Sequence, residues 1–450
     1  MSCVRAIAVM SLLFAICSAS SISAETVPPA PADPVASRAA TIRFGIESEL
    51  LDLFKALGSE KEARYNDEIL ALFIASSSPK LRTAALDLFR SLSWKGAEEA
   101  ALDCLKGRDN EDPLLVAGAL SYLAEIKSSK ALAYAQSIID ENNKALLPAL
   151  VTLLGRAGGE REEDILLAWI KGDSPNQQLR ESAIRALGDI GSAKATESLI
   201  KIVSDAAAPR FERVFAAEAL SKIGQKSALG ALIKVANGED PTVRAAAIEA
   251  LGSFDAAEAE RALLEALRDS FAKSRIAACK ALGKKRLKSA IPNLEYKASN
   301  DPEKSVKVEA LRALGEIGGT ESFSFILSLL ENRKGESSQR SLAFGILARK
   351  DPGSSLDALG LILAEEAKTA DRTLYTSLVR EVAAAGEIAE IAPLALFIMA
   401  DKDYLMRLGG LEWAKTAKSP AAKTVLENLA ARDPNEAVRK KANDILGLYK

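Results

Sequence analysis

PTVRAAAIEALGSF, residues 241–254, is the stretch on which the fold turns. It recurs, altered but recognisable, as QLRESAIRALGDIG at 178–191 and SVKVEALRALGEIG at 305–318. KSRIAACKALG at 273–283 and ERVFAAEALSKIG at 212–224 follow the same plan. Each copy has a basic residue, a small residue three positions on, an apolar residue seven on, and often glycine next. Working outward, the basic position falls at Arg82, Val116, Leu147, Arg180, Arg213, Arg244, Arg275, Lys307, Arg340, Tyr375, Arg407 and Arg439. Nine of these twelve keep Arg or Lys, and successive positions lie 31 to 35 residues apart. A fixed period of this length is the mark of a stacked repeat.

The residue types fit a pair of helices per unit. Proline at the first helical position costs nothing, because its missing N–H would be unpaired there anyway. An Asp before it accepts from first-turn amides and suits the positive helix end. Ala183 and Ala247, three residues after the basic position, let neighbouring helices approach closely. Gly188, Gly252, Gly283 and Gly315 are expected to help the first helix end. A second helix follows, as in ATESLIKIV from Ala195 or SALGALIKV from Ser227, with Leu199, Ile202 and Val203 on one face. One such pair cannot bury its own apolar face, so the pairs must stack.

The pattern Asp-Pro-x-Val-Arg…Ala…Ala-Leu-Gly-x-Ile-Gly resembles HEAT repeats, in the short form of PBS-lyase-like proteins. Asp240 to Arg244 carries it most fully, followed by Asp433-Pro434 through Val438-Arg439. The resemblance implies an all-α fold, a right-handed α-α superhelix of about twelve helix pairs. It is specific for fold and silent on function, since such repeats serve unrelated roles. Some members of that group attach bilins to other proteins, so a lyase-type enzyme is one reading the resemblance brings; no residue here marks a bilin site.

The repeated basic residue has two readings. It could be a surface ladder for an acidic ligand, or an internal ladder in which each Arg pairs with an Asp of its own or a neighbouring unit. The nearby Asp173, Asp240, Asp301 and Asp433 favour the internal ladder.

Composition removes whole classes of chemistry. Of 450 residues none is histidine. That excludes Ser-His-Asp and Cys-His relays and every His-ligated metal site. No Gly-rich phosphate loop or metal-spaced Cys cluster occurs. No catalytic, cofactor-binding or metal-binding residue is therefore assigned, and no cofactor is expected. The formal net charge of −2 gives no electrostatic footprint for nucleic acid. Hydrophobic residues reach 48% but aromatics only 5%, which suits thin, closely packed helices. Cys104 and Cys279 fall in Ala/Leu-rich helical patterns and read as small buried hydrophobes.

Residues 1–24 read as a secretory signal. Arg5 is followed by an apolar run from Ala6 to Cys17 and a small-residue zone ending at Ala24. Such a run is too short to span a bilayer, and no other stretch is long and apolar enough. Cys17 raises a second possibility, a lipid anchor, which the bulky Ile16 before it fits poorly. The expected organisation is a Pro-rich linker over 25–42 and a solenoid over 43–450. Within the solenoid, 43–75 is expected as an N-terminal cap, 76–435 as repeats and 436–450 as a C-terminal cap helix. Both ends read as finished, and the chain is expected to be exported, periplasmic or secreted.

One region departs from the rest. Middle second helices carry charges on their free face, such as Lys194, Glu197 and Lys201. By contrast IAEIAPLALFIMA at 388–400, FSFILSLL at 323–330 and LDALGLILA at 356–364 are apolar nearly all round. A helix apolar all round must be covered on every side, by its own fold or by something else. If by something else, the surface involves Phe323, Phe325, Phe397 and Met399, extended by Tyr404 and Trp413. The basic turn GKKRLK at 283–288 is either a solvated loop or a contact for an acidic group. The functional expectation is an exported, non-catalytic scaffold or adaptor for a protein partner of unspecified identity. The alternative is a self-associating structural protein of the cell envelope.

Overall fold

The computed structural model describes residues 34–141, 143–173 and 176–449. The expected signal, with Cys17, and the linker up to residue 33 lie outside the described residues. Helices alternate with short turns throughout, and no strand occurs among the described residues. The chain divides into two compact units at residues 153 and 154.

In the first unit the helix pairs are Glu47–Glu60 with Asn66–Ala75 and Pro79–Ser91 with Glu98–Lys106. A third joins Pro113–Glu125 to a 3₁₀ turn and the helix Ala135–Glu141. The helix Leu147–Ala157 contains the division, and Glu160–Ala168 lies in the second unit. In the second unit the pairs continue from Gln177–Asp189 with Thr196–Ser204 to Tyr404–Ala417 with Pro420–Arg432. A single helix, Glu436–Leu446, follows. This is the all-α repeat architecture that the sequence pattern implied. The described residues hold twelve pairs, but the membership differs at both ends. The stretch 43–75, expected as a cap, contributes a complete pair, with Leu50, Phe54, Leu57, Ile69 and Phe73 buried. The last basic position, Arg439, lies on the unpaired final helix.

The linker expectation needs correction over residues 34–42. Pro34–Phe44 is a helix. Its one proline stands at the helix start, where φ is already suitable and no donor is lost. Two contacts tie it down: Arg38 pairs with both oxygens of Glu60 at 2.7 and 2.8 Å, and the Tyr65 hydroxyl donates to the Val35 carbonyl.

Capping follows the sequence only in part. Asp240 caps Pro241–Leu251 by accepting from the Thr242 and Val243 amides, and Asp112 does the same for Leu114 and Leu115. Asp433 does not cap. The last helix is capped by Asn435, which accepts from the Ala437 and Val438 amides. Asp433 is occupied elsewhere, as described below.

Each first helix buries one i, i+4, i+5, i+8 stripe: Leu179, Ala183, Ile184 and Leu187, or Val243, Ala247, Ile248 and Leu251. Full burial of each such Leu, Ile or Val contributes roughly 1.5–3 kcal/mol, which the stack collects only when neighbouring pairs cover it. Of the four repeated glycines only Gly252 ends a helix, as the C-cap of Pro241–Leu251. Gly188, Gly283 and Gly315 lie inside their first helices, at Gln177–Asp189, Ala272–Lys284 and Lys304–Ile317. Their role is close approach. A Cβ on Gly188 would fall 2.6 Å from Ala219 Cα, and one on Gly283 would fall 2.8 Å from Ala313 Cα. Glycine on one helix and alanine on the next set the spacing of first helices.

Candidate functional site

The basic residues form an internal ladder, so they are not a free surface. Arg275 donates from Nε and Nη2 to both oxygens of Asp301 at 2.8 and 2.7 Å. Its Nη1 donates to the carbonyls of Asp269 and Ser270. Arg244 repeats this with Asp269 and with the carbonyls of Gly238 and Glu239. Arg407 repeats it with Asp433 and with the carbonyls of Asp401 and Lys402. Each acidic residue also accepts from the amide two residues on, as Asp301 does from Glu303 and Asp433 from Asn435. The turns at Asp269 and Asp433 are thus held twice: the carboxylate by the Arg of one unit, Arg244 or Arg407, and the carbonyls by the Arg of the next, Arg275 or Arg439. At the Tyr375 position the phenol donates to Asp401 at 2.7 Å and Arg372 supplies the charge.

Burial raises the Asp301 carboxyl, but the hydrogen bonds from Arg275, the Glu303 amide and Lys297 outweigh it and leave it below its ordinary value. The same balance, with Arg407 and the Asn435 amide, lowers Asp433. Cys279, beside this network, is fully buried and pushed up to about 12 chiefly by burial. It is a packing residue and not a nucleophile.

The ladder is imperfect at identifiable places. Arg180 Nε and Glu212 Oε2 lie 3.1 Å apart, but without hydrogen-bond geometry. Asp205, which stands where the ladder acid should be, accepts from the Ala207 amide. At Lys307 the acid position holds Asn332, which keeps the turn by accepting from the Lys334 amide. Lys307 makes no ion pair among the described residues.

The six residues singled out in the sequence separate into two groups. Trp413 is fully buried, with its indole N–H donating to the Ile388 carbonyl at 3.3 Å, and Met399 is 1% exposed. Both are core, and neither can meet a partner. Phe397 and Tyr404 are each 42% exposed, while Phe323 and Phe325 are half-buried. On the helix Gly319–Glu331 the buried stripe is Ser322, Ile326 and Leu330. At 100° per residue Phe323 and Leu327 fall on one flank of it and Phe325 on the other.

Sequence reading missed two residues that carry the surface further. Tyr296 is 63% exposed on Ile291–Asn300, and Leu361 is 64% exposed on Pro352–Glu366. Both stand twenty-one residues after a basic position, and Phe397 stands twenty-two after Tyr375. The same register earlier in the chain holds Lys201, Lys234 and Glu265, all exposed. A register count, rather than a search for apolar runs, would have found this row. It is a change from charged to apolar at one repeating, solvent-facing position, broken by Ser328 in the pair between Tyr296 and Leu361.

The second helices Gly319–Glu331 and Pro352–Glu366 part to form a cleft of about 350 Å³. Gly319, Thr320, Phe323, Ser324 and Leu327 line one wall, and Asp351, Ser354 and Ser355 the other. The basic turn at 283–288 is partly structural: Lys285 donates to the Phe254 carbonyl and to Asp255. Among the described residues no group of three or more Cys, Asp or Glu could hold a metal ion. Among the described residues no helix is long and apolar enough to cross a membrane.

Among solved structures the chain is similar to the karyopherin Kap121p bound to the SUMO protease Ulp1p. Identity is 13% over 91% of this chain and 50% of that one, with a TM-score of 0.46. It is also similar to Kap95p in a complex with RanGDP, at 14% identity over 90% of this chain and 65% of that one, with a TM-score of 0.44. The CpcE–CpcF complex of phycocyanin lyase from Nostoc gives 19% identity over 64% of this chain and 94% of that one, with a TM-score of 0.26. The chain spans about half the length of the Kap121p structures. These likenesses say nothing about ligands or activity. No curated protein matches the sequence. The model of spirochaete HEAT repeat proteins does match, and because that match runs from residue 42 to 445, the chain belongs to the spirochaete HEAT repeat protein family.

Proposed function

We propose that this chain is an exported, non-catalytic scaffold that holds a protein partner against its second helices between residues 291 and 405. One observation carries the reading: the exposed row Tyr296, Leu361 and Phe397, at a register that bears Lys201, Lys234 and Glu265 in the three pairs before it. Large exposed apolar residues recurring at one register suit a protein interface, and aromatic anchors concentrate its binding energy; the row is interrupted once, by the exposed Ser328 between Tyr296 and Leu361. The non-catalytic part rests on a sequence without histidine and on buried carboxylates committed to arginines. Export rests on the signal-like residues 1–24.

Crosslinking with mass spectrometry in intact cells, using wild type and the surface variants Leu361→Glu and Phe397→Glu, tests the interface. The expected result is a protein crosslinked near residues 291–405 in wild type and lost in both variants, with helical content unchanged. Unchanged crosslinks would sink it. Concentration-dependent assembly in light scattering, abolished by the same variants, would favour the self-associating envelope protein instead. For export, the protein's N-terminal sequence is expected to begin at Glu25; an intact Met1 would refute it, and a lipid-bearing Cys17 would replace signal cleavage by anchoring.

A further inference from the structure

Resting on that scaffold reading, we propose that the cleft between Gly319–Glu331 and Pro352–Glu366 receives an apolar side chain from a Lys/Arg-bearing amphipathic helix of the partner protein.

The cleft lies where two spacing devices of the repeat fail at one junction. Elsewhere Gly of one first helix meets Ala of the next, but Gly315 faces Ile346, whose Cγ2 lies 2.6 Å from where a Cβ would stand. A β-branched residue in place of alanine holds the first helices further apart. At the same junction the ladder pair is Lys307 with Asn332, so no carboxylate draws the turn in. The second helices part, and Phe323 and Leu327 line a space that a neighbouring pair would otherwise fill.

Charge states the partner's chemistry. The second helices 319–331, 352–366 and 392–399, with the turn 389–391, contain Glu321, Glu331, Asp357, Glu365, Glu366 and Glu390 and no Lys or Arg. Glu365 and Glu366 are held by Arg333 and Arg340. Glu321, Asp357 and Glu390 are exposed and have no ion-pair partner among the described residues. The second helices from Thr196 to Asn300 carry Lys201, Lys234, Arg261 and Lys297, so relative to them this region would repel acids and attract cations. An apolar cleft between two helices that carry acids and no Lys or Arg matches a helix with apolar anchors at i, i+3 or i+4 and Lys or Arg beside them.

The test uses the full chain and fluorescently labelled model helices read by anisotropy: a Leu/Lys amphipathic peptide, its Leu/Glu counterpart, and a Ser/Lys peptide without anchors. The Leu/Lys peptide is expected to bind at least tenfold more tightly than either control, and more weakly as salt rises. Phe323→Ser, checked for unchanged helicity and Tm, should weaken it tenfold or more. Ser354→Lys, at an exposed rim position that folding does not depend on, should do the same. Equal binding of the Leu/Lys and Leu/Glu peptides, or wild-type affinity in Ser354→Lys, overturns the proposal. So does dimerisation of the chain that Ser354→Lys abolishes, because the occupant is then a second copy. Partner crosslinks at Leu361 and Phe397 with no peptide preference would overturn this inference and leave the scaffold reading standing.

Discussion

Arg275 grips Asp301 through two hydrogen bonds of 2.8 and 2.7 Å, in a setting where the guanidinium side chain is 7% exposed and the carboxylate not at all. The pair joins the first helix Ala272–Lys284 to the turn that starts the next unit. Removing one partner strands the other in a low-dielectric site.

Arg275→Ala is therefore expected to destabilise the second unit by about 3–5 kcal/mol, since it leaves a buried carboxylate unpaired. Arg275→Lys should recover little, because an ammonium cannot reproduce the two-pronged contact or reach the Asp269 and Ser270 carbonyls together. Urea unfolding, with hydrogen exchange over residues 269–303 to catch local opening, measures both. A loss under 1 kcal/mol for Arg275→Ala would contradict the ladder's role.

The same pairs set an acid limb. The folded-state carboxyls of Asp269, Asp301 and Asp433 lie below their ordinary values: burial opposes this, and arginine and backbone hydrogen bonds prevail. Their contribution is present above the unfolded value of about 3.9 and is lost as pH falls through the folded values. The stability gap between wild type and Asp301→Asn should be widest near neutrality and shrink as pH drops below about 4. A gap that stays constant with pH would rule this out.

Two glycines should respond in opposite directions. Gly283→Ala brings a Cβ within 2.8 Å of the Ala313 backbone, so it should cost about 1–3 kcal/mol despite alanine's better helix propensity. Gly230→Ala, in Leu229–Ala236 with nothing within 4 Å, should stabilise by up to about 1 kcal/mol. Thermal unfolding of the two variants settles the comparison; equal effects would mean that close approach does not explain the glycines.

Trp413 and Phe397 should also part company. Trp413→Ala removes a fully buried ring and is expected to cost about 3–5 kcal/mol. Phe397→Ser, at a position 42% exposed, should cost well under half of that and act on partner capture instead. Unfolding and capture measured on both variants would show whether the core and the surface have been assigned correctly.

Lys307→Arg with Asn332→Asp should build the missing ladder pair. The turn at 332–334 already has the ladder's local geometry, so the added pair is expected to slow hydrogen exchange across residues 328–340 and to raise Tm. Exchange identical to wild type in a folded double variant would show that the gap at this junction has another cause.

The helix pairs were legible because the period is carried by residues whose local preferences agree with the stack, such as Asp240 with Pro241, Ala247 and Leu251. The internal ladder was legible for the same reason: Arg275 and Asp301 recur at fixed spacing. What local reading got wrong was the work of single residues. Glycine after Ala-Leu is read locally as a helix end, yet Gly283 is helical and faces the backbone of Ala313, thirty residues away. An apolar run is read as one surface, yet Met399 and Trp413 face the core while Phe397 faces water.

The sequence by itself determined the architecture, the unit length, the family and the exclusion of histidine chemistry, because each of these is written in composition or in a repeat that holds its phase. Only the tertiary structure decided which apolar residues are free and where the stack opens. Those depend on which helix face its neighbour covers, and at the junction of Gly315 and Ile346 on a β-branched side chain standing where alanine stands at the other repeated glycines, 31 residues away in the chain.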